Sequence, residues 1–143
     1  MAYLNCRLTL AGTSRSIAGH TAVFVFFPFA FSPVCTDQFQ VYEEVLDEFE
    51  AHGAKLYGVS TDSIWSLKAF REKLGTTIPM LSDFEPKGAM AKAFGAFFEP
   101  GGMTDRALVI VDPEGVVQYS HLAENPGELP GANLIFDGLA QKV

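Results

Sequence analysis

Hydrophobic and polar positions along this chain follow two different periods. Val23 to Phe27 is an unbroken β-branched and aromatic run, the pattern of a strand buried on both faces. Downstream, Phe39, Tyr42, Leu46 and Phe49 recur at spacings of three and four. That spacing predicts a helix over 33–52 with these four on one face, Glu43, Glu44, Asp47 and Glu50 on the wet face, and Gly53 as a left-handed cap. Lys55 to Thr61, KLYGVST, reads as the next strand. Asp62 or Ser63 can cap a second helix carrying Trp65, Leu67, Phe70 and Leu74 and ending at Gly75. The short extended segment IPMLSD follows, and its proline favours a sheet edge or a strand start. Lys87 to Phe97 is an alanine-rich helical stretch with Met90 and Phe94 one turn apart. RALVIVDPEGVVQYSHL then has two β-rich arms around Asp112-Pro113-Glu114-Gly115, a hairpin signal. Asn133 to Lys142 suits a closing helix.

The predicted order is β-α-β-α-β-α-β-β-α. Strands alternating with helices, followed by a hairpin, imply an α/β domain: a central mixed sheet with helices on both faces. The pattern is similar to that of the thioredoxin fold with an inserted helix, in one domain over residues 1–143. Trp65 and the phenylalanines are assigned to its core, with a dimer surface as the other reading.

Composition narrows the function classes. Apolar content of 48% with 19% charged residues places the chain among globular proteins and excludes disorder. A net charge of -7 repels phosphate backbones and argues against nucleic-acid binding. The longest apolar run, Ala22 to Phe31, is interrupted by Pro28 and is too short to span a bilayer as a helix. It lies behind Arg7 and Arg15, and no small-x-small cleavage site follows, so a signal peptide or lipid anchor is not expected. The two cysteines, Cys6 and Cys35, form no C-x-x-C motif. His20, His52 and His121 show no metal-ligand spacing, so no metal or other cofactor is expected. The composition fits a reduced, cytoplasmic protein without a membrane partner.

Cys35 carries the candidate chemistry. It falls in the first turn of the helix that follows the buried strand, with Ser32 as N-cap and Pro33 at the first helical position. Free backbone N–H groups and the positive end of the helix dipole favour a thiolate there. On placement alone, an inert packed thiol is an alternative, because free cysteine is among the most buried residue types.

Pro28-x-x-x-Ser32-x-x-Cys35 resembles the peroxiredoxin active-site signature, Pro-x-x-x-Thr/Ser-x-x-Cys. The resemblance continues through VSTDS, IPMLSDFEPKGAMAKAFGAF and RALVIVDPEGVV, and covers roughly residues 20–140. LSDFEPKGAMAKAFGAF looks most like the AhpE-type, one-cysteine branch. The resemblance implies a thiol-dependent peroxidase in which Cys35 attacks a hydroperoxide and becomes a sulfenic acid. It implies that Arg106 places a cation beside sulfur and peroxide, that the Ser32 hydroxyl and Cys35 N–H bind peroxide oxygens, and that Pro28 shields the pocket. Each has a plainer reading: Ser32 as a helix cap only, Pro28 as a strand terminator, Arg106 as a surface ion-pair residue. Gln38 stands where many relatives carry glutamate.

No cysteine follows Cys35 in this sequence, and Gln40 occupies the place of an intrahelical resolving cysteine. The resemblance therefore implies reduction by an external thiol, either a small thiol or a thioredoxin- or glutaredoxin-like protein, with Cys6 incidental. A homodimer is expected. The N-terminal lead-in shows only an echo of the family pattern in LTLAG, so an edge strand or hairpin there is expected to be shortened or reorganised. The competing reading is a thioredoxin-fold redox sensor or binding protein with negligible turnover.

Overall fold

In the computed structural model the described residues are 7–10, 13–16, 21–84, 87–114, 116–123, 135 and 137–139. A hairpin of β1 (Arg7–Leu10) and β2 (Thr13–Ser16) precedes the buried strand β3 (Thr21–Phe26). The helices α1 (Pro33–Glu44) and α2 (Leu46–Ala51) lead to β4 (Ala54–Ser60), and α3 (Ile64–Leu74) leads to β5 (Met80–Ser82). A short α4 (Ala89–Ala93) is followed by the ribbon of β6 (Phe97–Phe98) and β7 (Met103–Thr104). The strands β8 (Ala107–Val111) and β9 (Val117–Leu122) form the hairpin expected around Asp112. The main sheet has seven strands in the order β2-β1-β5-β4-β3-β8-β9. Its centre is parallel across β3, β4 and β5, whereas β8, β9 and β1 pair antiparallel to their neighbours.

Every residue of β3 is buried because helices cover both faces. Val23, Val25 and Phe27 join Phe39 and Tyr42 of α1, Phe49 of α2, and Leu67 and Phe70 of α3 in one core. Ala22, Phe24 and Phe26 join Met90 and Ala91 of α4 in the other. Alternate residues of one strand thus feed two cores, as the two-residue strand period requires.

The register of β3 against β8 sets up the site. Phe26 lies opposite Ala107, so Arg106 stands beside the point where β3 ends and the chain turns toward Cys35.

Several expectations need correction. The helix predicted over 33–52 is broken at Val45, whose φ of -117° and ψ of 17° leave the helical region. The Val45 N–H returns to the Tyr42 carbonyl, and Val45's own carbonyl accepts from Glu48 and Phe49 to start α2. Both segments still deliver aromatic residues to the same core, so patterning alone does not show the break. Trp65 is 74% exposed rather than core. It sits two positions before Leu67, about 200° around the helix from the face that Leu67 and Phe70 bury. Phe29, Phe31, Phe84 and Phe98 are also exposed. Pro79 immediately precedes β5, as a strand-start proline should, but β5 lies inside the sheet between β1 and β4. The helix expected over 87–97 is confined to Ala89–Ala93. The β6–β7 ribbon was not expected from the Gly-rich segment. Of the closing helix, 135 and 137–139 are helical and Ile135 and Leu139 are buried; the remainder lies outside the described residues, as does Cys6.

Asp83 ties β5 to α4. Its N–H donates to the Ser60 carbonyl at 2.8 Å, and its carboxylate accepts from Met90 N–H at 3.0 Å and Ala91 N–H at 2.9 Å. Burial raises its pKa above the usual 3.8, and the two backbone hydrogen bonds oppose that shift without cancelling it. A carboxyl that holds its proton more tightly when folded adds stability that is complete below about pH 3.8 and is lost as pH rises through the raised value. Urea unfolding of wild type and Asp83→Asn between about pH 3.5 and about pH 6.5 tests this. The stability difference, wild type minus variant, should decrease as pH rises and then level off. A difference that grows with pH would contradict the assignment.

Candidate active site

The loop between β3 and α1 is pinned at several points. Phe27 N–H donates to the Val59 carbonyl at 3.0 Å, and the Thr104 hydroxyl donates to the Phe27 carbonyl. Pro28 is buried and has no N–H to donate. Ala30 N–H donates to Asp62 Oδ2 at 2.8 Å, and the Ser60 hydroxyl donates to the same oxygen at 2.6 Å. The β4–α3 turn therefore holds the middle of the loop. Phe31 has a φ of 71°, the one non-glycine residue with positive φ among those described. An aromatic residue there carries strain of about 1–3 kcal/mol. Its ring packs edge-on to Phe70 at 5.3 Å, with Lys73 Nζ 5.6 Å from its centroid. These contacts help offset the strain and turn the chain into α1.

Ser32 is the N-cap residue by backbone geometry, with φ -73° and ψ 148°, and Pro33 begins the helix. Its carbonyl accepts from Thr36 N–H at 3.1 Å and from the Thr36 hydroxyl at 3.0 Å. Its own hydroxyl does not cap the helix. That Oγ is buried and makes no hydrogen bond to any described residue. The cap-only reading of Ser32 thus fails for its side chain.

Cys35 follows in the first turn, fully buried and unbridged. Arg106 is also buried, at 2% exposure, which removes the surface ion-pair reading. Its Nη2 donates to Cys35 Sγ at 3.3 Å, and its Nη1 donates to Gln38 Oε1 at 2.5 Å. Gln38 Nε2 in turn donates to Tyr42 Oη at 3.0 Å. Burial is the largest influence on Tyr42 and pushes its pKa up to about 12, against smaller opposing effects of Gln38 and Arg106. The phenol therefore remains neutral across the physiological range.

Cys35 and Arg106, 71 positions apart in sequence, are brought into contact. Gln38 was noted only as standing where many relatives carry glutamate, and Tyr42 only as part of the buried helix face. The available signal was their spacing: positions 35, 38 and 42 share one helical face, so a glutamine falls on a buried stripe. Asp62 and Thr104, which hold the loop, left no such signal. Chemically, the arrangement fixes a permanent positive charge beside a sulfur in surroundings without bulk water, where charge interactions are strong. Among the described residues, no group of three His, Cys, Asp or Glu side chains is placed to hold a metal ion.

Comparison with known proteins places the chain in a family. The AhpC/TSA family matches residues 10–120. Alkyl hydroperoxide reductase E of Mycobacterium tuberculosis is 33% identical over 118 residues, covering 82% of this chain and 76% of that protein. The crystal structure of Enterococcus faecalis AhpC superimposes with a TM-score of 0.83 at 29% identity, covering 98% of this chain and 87% of that one. Xanthomonas campestris Peroxiredoxin Q superimposes with a TM-score of 0.82 at 29% identity, covering 96% and 92%. The fold is the thioredoxin fold in its peroxiredoxin form.

If Asp62 holds the loop, Asp62→Ala leaves the Ala30 N–H and Ser60 hydroxyl without their acceptor and should destabilise the protein by about 1–3 kcal/mol in denaturant unfolding. Asp62→Asn, which keeps an acceptor oxygen, should recover most of that loss. A change below about 0.5 kcal/mol for the alanine variant would show that the loop is held elsewhere.

Proposed function

This chain belongs to the AhpC/TSA family of peroxiredoxins and is a thiol-dependent peroxidase, and we propose that Cys35 is its peroxidatic residue. The observation that carries the assignment is the 3.3 Å contact between Arg106 Nη2 and Cys35 Sγ, both groups buried. The thiolate sulfur attacks the near oxygen of a hydroperoxide. The O–O bond breaks, the sulfur is oxidised by two electrons to a sulfenic acid, and the far oxygen leaves as water or an alcohol after taking up a proton. Negative charge moves from sulfur onto the departing oxygen. A guanidinium fixed beside the reacting atoms stabilises that charge without having to reorganise.

Ser32 Oγ is suited to a peroxide oxygen because it is buried and already lacks a partner among the described residues. The Cys35 N–H, in a first turn where N–H groups have no intrahelical acceptor, is a second donor. Buried Pro28 walls the pocket without offering a competing N–H.

The sulfenic acid is returned to the thiol by an external thiol. One thiol condenses with it, releasing water and forming a mixed disulfide, and a second thiol then frees Cys35. This one-cysteine cycle is supported by the likeness to alkyl hydroperoxide reductase E and by Gln40 in the place of an intrahelical resolving cysteine. A small thiol or a thioredoxin- or glutaredoxin-like protein fits the reductant role, in a cytoplasmic homodimer. The family match favours turnover over a redox sensor.

Stopped-flow mixing with hydrogen peroxide or an organic hydroperoxide should oxidise Cys35 far faster than free cysteine. Arg106→Met should lower the rate constant by about 100- to 1,000-fold, the scale for losing a preorganised charge-stabilising donor. A wild-type rate equal to that of free cysteine would contradict the proposal.

A further inference from the structure

The buried face of α1 carries polar groups that the reaction above does not use. Gln38 is fully buried, and its amide has both a carbonyl and an N–H group to satisfy. The carbonyl faces the Arg106 guanidinium at 2.5 Å. The opposite orientation would turn N–H groups toward a cation that is itself only a donor. The amide N–H must then find an acceptor on its far side, within an otherwise apolar core. Tyr42 Oη, one helical turn further on, supplies it at 3.0 Å.

We propose that Tyr42 is a positioning residue for the peroxidase reaction: its hydroxyl holds the Gln38 amide so that Gln38 Oε1 anchors Arg106 Nη1 and leaves Arg106 Nη2 aimed at Cys35 Sγ. This inference rests on the reading of Cys35 and Arg106 as the reacting pair. Three features of the molecule support it. The chain of contacts is continuous from Cys35 through Arg106 and Gln38 to Tyr42. All four residues are at most 2% exposed, so water does not readily substitute for a lost partner. Phe39, the neighbour of Gln38, is locked edge-on against Phe27 at 5.0 Å and against Tyr42 at 6.3 Å, which holds this part of the helix and the Tyr42 ring in place.

A neutral amide at this position also has a chemical consequence. A carboxylate on Nη1 would share the guanidinium charge with the sulfur. The Gln38 carbonyl accepts the hydrogen bond without bringing a compensating negative charge. An amide, unlike a carboxylate, leaves an N–H to be satisfied, and Tyr42 does so.

The test is a double-mutant cycle on the rate constant for Cys35 oxidation by hydrogen peroxide, using wild type, Tyr42→Phe, Gln38→Met and the double variant. Tyr42→Phe keeps the ring and removes only the hydroxyl. It should slow oxidation about tenfold, the rate equivalent of one buried unpaired donor. In the Gln38→Met background no amide N–H needs an acceptor, so Tyr42→Phe should add less than about a twofold loss. A role of Tyr42 in packing alone would not depend on what stands at 38. Tyr42→Phe within about twofold of wild type would overturn the proposal, as would a loss that persists undiminished beside Gln38→Met. A wild-type rate equal to free cysteine would instead remove the reacting pair on which the proposal rests, and the proposal with it.

Discussion

A guanidinium stays protonated at any pH the protein meets, and Arg106 keeps one with 2% of its surface exposed. An ion that deeply buried carries a desolvation penalty of several kcal/mol unless charge and hydrogen bonding replace its water. Here the replacements include a sulfur that can carry negative charge and a glutamine carbonyl, both on α1. The same burial that makes the cation expensive to hold makes its field strong at Cys35. Stability and reactivity thus depend on one arrangement: the side chains of α1 must meet the residue that opens β8.

The sheet enforces that meeting. The antiparallel pairing of β3 with β8 brings Ala107 opposite Phe26, and so brings Arg106 to the level at which the active loop begins. A slip of one residue would turn Arg106 and every side chain of β8 toward the opposite face. The burial of β8 on both faces and its pairing on both edges resist such a slip. From the other direction, Asp62 and Thr104 hold the loop, and Phe27, Phe39 and Phe70 hold the helix through a cluster of edge-on and tilted rings. The strained Phe31 lies between these supports, at the place where the chain must reverse to start α1 at Ser32.

Much of this was legible in the sequence because it rests on period and end signals. The run at Val23–Phe27 reads as a strand buried on both faces and RALVIV as the first arm of a hairpin, and Gly75 ends its helix in the left-handed conformation expected of it. Ser63 rather than Asp62 caps α3, a choice between neighbours that composition leaves open. The break at Val45 was not legible, since apolar spacing continues across it. The exposure of Trp65 was legible in its position two residues before Leu67, about 200° around the helix, but its hydrophobicity outweighed that signal and placed it inside. The pairing of Cys35 with Arg106 joins residues 71 positions apart in sequence through two neighbouring strands, and it came from the resemblance of motifs, not from the spacing of residues. Tyr42 was visible as a member of the buried helical face, and Gln38 only as the residue standing where many relatives carry glutamate. That a polar chain ran along that face required the partner strand to be in place.

If Cys35 is the peroxidatic residue, the first oxygen goes to its sulfur. The direct measurement is mass spectrometry of the intact protein and its peptides after one equivalent of hydroperoxide, with and without a sulfenic-acid trapping reagent. A single added oxygen, or a single trapped adduct, is expected on Cys35, convertible to a mixed disulfide when a small thiol is supplied. Cys35 left as a free thiol while other residues oxidise, or joined to Cys6 as the main product, would contradict it.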